Sequence, residues 1–273
     1  MYIVKHIGGS AVSLILPFDQ LFSRRRAAAA AVLLLCAIAL TMPVGAHAAN
    51  VNVAAAANFT EPAKEIAQLF QSKTKNRAIL SFGATGQFYT QITQGAPFQV
   101  FLSADERTPK KLADGGLASA DSRFTYAIGK LVLFSTNKTL ATGEQTLRDA
   151  KFNKIAIADP ATAPYGAAAV ETMKTLGVYD ALSRKIVQGA NIAQAFQFVD
   201  TGNAELGFVA LSQVIARQGG SRWMVPANLY SAIRQDAVLL RSGEGNEAAK
   251  AFLAFMKGPE AGKVMEKFGY GTP

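Results

Sequence analysis

Short apolar runs alternate with longer amphipathic stretches along most of the chain beyond residue 48. Residues 51–56 (VNVAAA) read as a strand, Ala57-Asn58-Phe59 as a turn, and a helix begins near Thr60. A second strand at 77–82 runs into the turn Gly83-Ala84-Thr85-Gly86 and a helix at 87–93, which Gly95-Ala96-Pro97 breaks. A third strand occupies 100–102, and Asp105 is placed to cap the helix carrying 109–113. The strands are continuous apolar runs rather than strict alternations, the signature of a parallel sheet covered on both faces. Alternation of strands with helices points to the same architecture.

Residues 124–135, FTYAIGKLVLFS, are too long for one strand of a small parallel sheet, and Gly129 interrupts them. The stretch reads as a crossing between two lobes, with one half in each. A second series then starts: a strand at 154–158, the loop 159–166 (DPATAPYG), and a helix through 167–176. Strands at 185–187 and 205–210, a helix at 192–199 and another from Leu211 complete it, and the return crossing falls within 230–240. Helices at 246–256 and 259–268 end the chain. The expected fold is therefore α/β in two lobes, each a mainly parallel sheet flanked by helices, joined by two hinge crossings. Lobe I comprises 49–128 and 233–273, and lobe II comprises 129–232. In such folds a ligand sits at the carboxyl ends of the strands, between the lobes.

The first 48 residues change how the composition is read. Arg24, Arg25 and Arg26 precede an apolar stretch at 27–42, and Ala46-His47-Ala48 supplies a small-x-small site. A basic flank, a short apolar core and such a site describe a cleaved secretory signal peptide over 1–48, and the stretch is short of the ~20 residues of a membrane span. The whole chain carries a formal charge of +9; without the leader's Lys5, three arginines and Asp19 it carries +6. No basic run remains that would track a nucleic acid. Both histidines (His6, His47) and the one cysteine (Cys36) belong to the leader. The remaining chain therefore has no disulfide, no His/Cys zinc site and no histidine-dependent nucleophile.

Four loops following strand ends hold the candidate chemistry: Ala57-Asn58, Ala84-Thr85-Gly86, Pro164-Tyr165-Gly166 and Asn191-Ile192. None carries Lys or Arg. Each offers neutral donors at a helix start, where free N–H groups and the positive dipole end suit an anion. A fully deprotonated oxyanion needs donors only, whereas hydrogen phosphate needs an acceptor for its proton. Asn58 and Thr85 could instead be helix caps and Tyr165 a packing residue; Asp159 reads as a turn residue and Asp105 as a helix start.

At AAAANF (54–59), SFGATGQFYTQI (81–92), GAPFQVFLSADE (95–106), SRFTYAIGKLVLFS (122–135), ADPATAPYG (158–166), ELGFVALSQV (205–214) and FMKGPEAGKVMEKFGY (255–270), the chain resembles the molybdate-binding proteins of molybdate ABC transporters. The resemblance implies a type II periplasmic binding protein fold and a monomer that captures molybdate, and tungstate as well, for a membrane permease. It implies no resident cofactor and no directly coordinated metal, the oxyanion being held through its oxygens. By position it assigns the ligand to Asn58, Thr85, Tyr165 and Ile192, with Ala57 and Gly86 as further backbone donors. Where one branch of the family supplies a tyrosine from a later strand this chain has Ala210, and Tyr165 replaces that hydroxyl from another loop. A receptor for sulfate or another small anion on the same scaffold is the alternative.

Overall fold

The computed structural model describes residues 48–272. The expected leader, but for Ala48, lies outside the described residues.

Strand β1 (Asn50–Ala56) leads through a 3-10 turn at Ala57–Phe59 into helix α1 (Thr60–Thr74). Then follow β2 (Arg77–Gly83), α2 (Thr85–Thr93), β3 (Val100–Leu102), α3 (Arg107–Asp114) and β4 (Phe124–Gly129). Asp105 accepts the Thr108 N–H at 2.8 Å, which gives α3 its start as expected. Beyond the single residue Lys130 the chain continues as β5 (Leu131–Ser135) and enters a second sheet. There it forms α4 (Glu144–Asp149), β6 (Ile155–Ala158), α5 (Pro164–Thr175), α6 (Tyr179–Leu182), β7 (Ile186–Gly189) and α7 (Ile192–Asp200). The second sheet is completed through β8 (Leu206–Ala210), α8 (Leu211–Val214) and β9 (Ser221–Met224). Strand β10 (Ile233–Leu239) returns to the first sheet, and α9 (Glu247–Met256) and α10 (Pro259–Lys267) pack behind it.

The two five-stranded sheets run β2-β1-β3-β10-β4 and β7-β6-β8-β5-β9. They share one plan: four strands run in one direction, and the fourth place in the order holds the strand that arrives from the other lobe, running opposite to the rest. The expected two-lobe α/β architecture is borne out. Each sheet is mainly parallel because the βα units set its direction, and only β10 and β5 enter from the far side of a crossing.

Both faces of the first sheet are covered, as its apolar strands predict. Val51, Val53 and Ala55 of β1 face a cluster with Phe59, Ile66 and Phe70 of the α1 region and Phe252 of α9. The intervening Ala54 faces the opposite cluster, with Phe88, Ile92, Phe101 and Leu112. The ring of Phe70 meets Phe252 edge-on at 5.1 Å, an arrangement worth ~0.5–1.5 kcal/mol beyond its buried area. Those helices hold the carboxyl end of β1 fixed, and that end carries the candidate site.

Sequence reading did not assign β9, a four-residue strand after Gly219-Gly220. It is legible only in space, as an edge strand antiparallel to β5.

Candidate anion-binding site

Asn58, Thr85, Tyr165 and Ile192 come together around one cavity, with Ala57, Ala84, Ala163 and Asn191. Each sits where a strand hands over to a helix: Asn58 in the 3-10 turn after β1, Thr85 as first residue of α2, Tyr165 as second residue of α5, and Ile192 as first residue of α7. All four are 2–3% exposed. The space left between them is about 10 Å³, close to the ~10–15 Å³ that one water requires. Among the described residues, none that lines it is charged.

The donors differ in how they are held. Asn191 caps α7, its Oδ1 accepting the N–H groups of Ala193 and Gln194 at 3.0 and 3.1 Å. The Ile192 N–H, at the first helical position, has no acceptor within the helix and is not taken by the Asn191 cap. The Thr85 Oγ1 accepts the Ala104 N–H at 3.0 Å, which fixes the hydroxyl and leaves its proton free to donate. Neither Thr85 nor Asn58 takes a helix N–H with its side chain, and the start of the helix at Thr85 is held instead by Gln87, whose Oε1 accepts the Ala84 N–H at 3.2 Å; the capping reading of both residues does not hold. Asp159 is a turn residue, accepting from the Ala161 N–H and the Thr162 hydroxyl.

Two expected donors are otherwise engaged. The Gly86 N–H donates to the Thr162 carbonyl across the lobes at 2.8 Å. Without a side chain Gly86 can approach this closely, since a Cβ would come within 3.0 Å of the Thr162 Cα. The Asn58 side-chain amide, expected to face the anion, donates instead to Gln235 Oε1 at 2.8 Å and to the Tyr270 hydroxyl at 3.0 Å. Both acceptors arrive from more than 170 residues away in sequence, so nothing local to Asn58 announces them. Its Oδ1 is buried without a partner, and what remains for an anion at this loop is backbone N–H.

The Tyr165 hydroxyl accepts from Gln235 Nε2 at 3.2 Å. Burial, with the neighbouring Tyr270 and Tyr126 phenols adding to it, pushes the Tyr165 phenol well above the usual tyrosine range, and the Gln235 hydrogen bond only partly offsets this. The phenol therefore stays protonated and can donate. Ser212, at the start of α8 in the second lobe, donates to the Asn58 carbonyl at 2.8 Å, so the lobes are joined on both sides of the cavity. Gln235, Tyr126, Tyr270 and Ser212 were not anticipated. Their one sequence signal is polarity inside apolar segments, Gln235-Asp236 within AIRQDAVLL most clearly.

Ala210, at the end of β8, is fully buried. It offers no hydroxyl, and the aromatic hydroxyl at the cavity comes from Tyr165 instead.

The chain is 53% identical over 236 residues to the molybdate-binding protein ModA of Rhodobacter capsulatus, covering 86% of this chain and 94% of that one. It is 54% identical over 230 residues to ModA of Azotobacter vinelandii, covering 83% and 91%. A solved periplasmic molybdate-binding protein from Azotobacter vinelandii superimposes with a TM-score of 0.79 and 40% identity, over 82% of this chain and 99% of that one. The sequence profile of the bacterial extracellular solute-binding proteins matches residues 51–271. The resemblance read from the motifs is thus borne out: the chain belongs to the bacterial extracellular solute-binding proteins, in their ModA-like group.

Proposed function

We propose that this protein captures molybdate between its two lobes and delivers it to the permease of an ABC transporter. The observation that carries this reading is a buried cavity at four strand-to-helix junctions that offers hydrogen-bond donors and no charged side chain. In the proposed complex the Thr85 and Tyr165 hydroxyls, the Ile192 N–H and backbone N–H groups at Ala57 and Asn58 surround the anion. Hydrogen bonds to a charged group contribute ~1.5–3 kcal/mol each, so five approach the ~12 kcal/mol of nanomolar affinity without a countercharge. Preoriented main-chain donors also avoid the ordering cost of a long cationic side chain.

Tungstate, with the same charge and shape, is bound as well. The protein acts by binding rather than turnover, needs no cofactor, and works as a monomer in the periplasm after removal of its leader. Calorimetry and thermal melts of the leaderless protein with molybdate, tungstate, sulfate and phosphate test the reading. Molybdate at ~100 times its Kd adds ~2.7 kcal/mol of stability. A protein that responds to sulfate and not to molybdate is a sulfate receptor, and the proposal fails.

A further inference from the structure

A buried chain of hydrogen bonds has its direction fixed at one end by a main-chain carbonyl. The Asn58 carbonyl can only accept, and the Tyr270 hydroxyl lies 2.8 Å from it. With its proton donated there, the Tyr270 oxygen accepts from the Asn58 amide at 3.0 Å. The second hydrogen of that amide goes to Gln235 Oε1 at 2.8 Å; the Tyr126 hydroxyl lies 3.0 Å from both this oxygen and the Ser103 main-chain carbonyl, and its single proton serves only one of them. With Asn58 as its donor the Gln235 carbonyl is turned toward Asn58, so Nε2 faces Tyr165 and donates to its oxygen at 3.2 Å. The phenol oxygen already accepts a hydrogen bond, and its own proton is free for the cavity.

The backbone is shaped for this contact. Gln235 is completely buried on β10, at an irregularity in the pairing with β4 that falls between Gln235 and Asp236. Asp236 is held on the first lobe by Arg123 at 2.6 Å and the Thr125 hydroxyl at 2.7 Å. Gly129, at the end of β4, leaves the room: a Cβ there would overlap both the Tyr165 hydroxyl and Gln235 Nε2.

We propose that Gln235 is a positioning residue that makes the Tyr165 hydroxyl a donor toward the bound oxyanion, and so selects fully deprotonated anions over protonated ones. An anion that still carries a proton needs an acceptor, and a phenol oxygen already occupied by Nε2 offers a poor one. Gln235 itself need not touch the ligand. The inference rests on the molybdate reading above.

The test is a double-mutant cycle with Gln235→Met and Tyr165→Phe, titrated calorimetrically with molybdate and with phosphate, alongside ligand-free melting. Gln235→Met is expected to weaken molybdate at least tenfold and to narrow the molybdate-to-phosphate ratio at least fivefold. Adding Tyr165→Phe should then weaken binding by no more than a further twofold, because both changes remove the same contact. Losses that multiply, or a Gln235→Met protein within twofold of wild type for both anions, overturn the inference. If the methionine protein does not fold, Gln235→Glu, of the same shape but with an acceptor in place of Nε2, replaces it in the cycle. Repulsion from the new carboxylate acts in both backgrounds, so at least fivefold coupling to Tyr165 supports the inference and additivity sinks it. Wild-type protein that ignores molybdate counts against the proposed function; wild-type binding with uncoupled variants counts against Gln235 alone.

Discussion

Tyr165 turns a packing position into a chemical one. Its ring is buried, and among the described residues its hydroxyl is the only aromatic one at the cavity. Tyr165→Phe keeps the ring and deletes the donor, so molybdate affinity should fall by ~1.5–3 kcal/mol, the worth of a hydrogen bond to a charged group. Ligand-free melting should move much less; calorimetry and melts on one preparation separate the two, and equal losses would make Tyr165 a packing residue. Gly129→Ala probes the same hydroxyl from behind. The added methyl displaces the Tyr165 hydroxyl and the Gln235 amide together, and binding should be lost by at least as much as in Tyr165→Phe. Overpacking of this kind also destabilises by ~1–3 kcal/mol, which the ligand-free melt reads directly.

At the scale of elements, the candidate site is a set of helix starts whose loose N–H groups are either capped or left uncapped at the cavity. Asn191 shows the division most plainly: its side chain takes two N–H groups of α7 and leaves that of Ile192. Asn191→Ala should cost ~1 kcal/mol of folding stability in denaturant melts. It should weaken molybdate binding too, because the first turn of α7 no longer holds the Ile192 N–H in place. Outside the site, Glu205 joins β6 to β8. Partial burial pushes its carboxyl up, but the N–H groups of Asn153 and Lys154, both at 2.9 Å, outweigh this and hold it below the usual glutamate range. A carboxyl depressed on folding contributes stability that is present above its unfolded value, ~4.3 for glutamate, and that is lost as pH falls through the folded value. Glu205→Gln should therefore be less stable than wild type in urea at neutral pH, and the gap should close below about pH 4. The strand-to-helix junctions were legible in sequence because apolar runs, small residues and Pro164 mark them locally. Residues such as Gln235 and Tyr270 were not, because what they do depends on partners brought together only by the return crossing. The partners of the Asn58 amide were hidden for the same reason: local sequence shows a donor, and only the folded chain brings Gln235 and Tyr270 to it.

At the scale of the molecule, the two lobes close a neutral cage rather than a charged one, and this separates how fast the anion arrives from how long it stays. The formal charge of +6 on residues 49–273 raises the local anion concentration and speeds encounter, an effect that salt screens with a Debye length of ~8–10 Å near physiological strength. The cavity itself presents buried dipoles, which salt does not reach. Raising ionic strength from about 20 mM to about 500 mM should thus slow association several-fold and leave dissociation nearly unchanged. Stopped-flow traces at both salts measure the two rates. Affinity should also be flat from about pH 6 to about pH 9, since among the described residues the one titratable side chain at the cavity is Tyr165 and burial keeps it protonated throughout that range. Dissociation that accelerates sharply with salt, or affinity that declines steadily toward pH 9, would mean that a cation holds the ligand. The neutral cage would then be wrong even if molybdate proved to be the cargo.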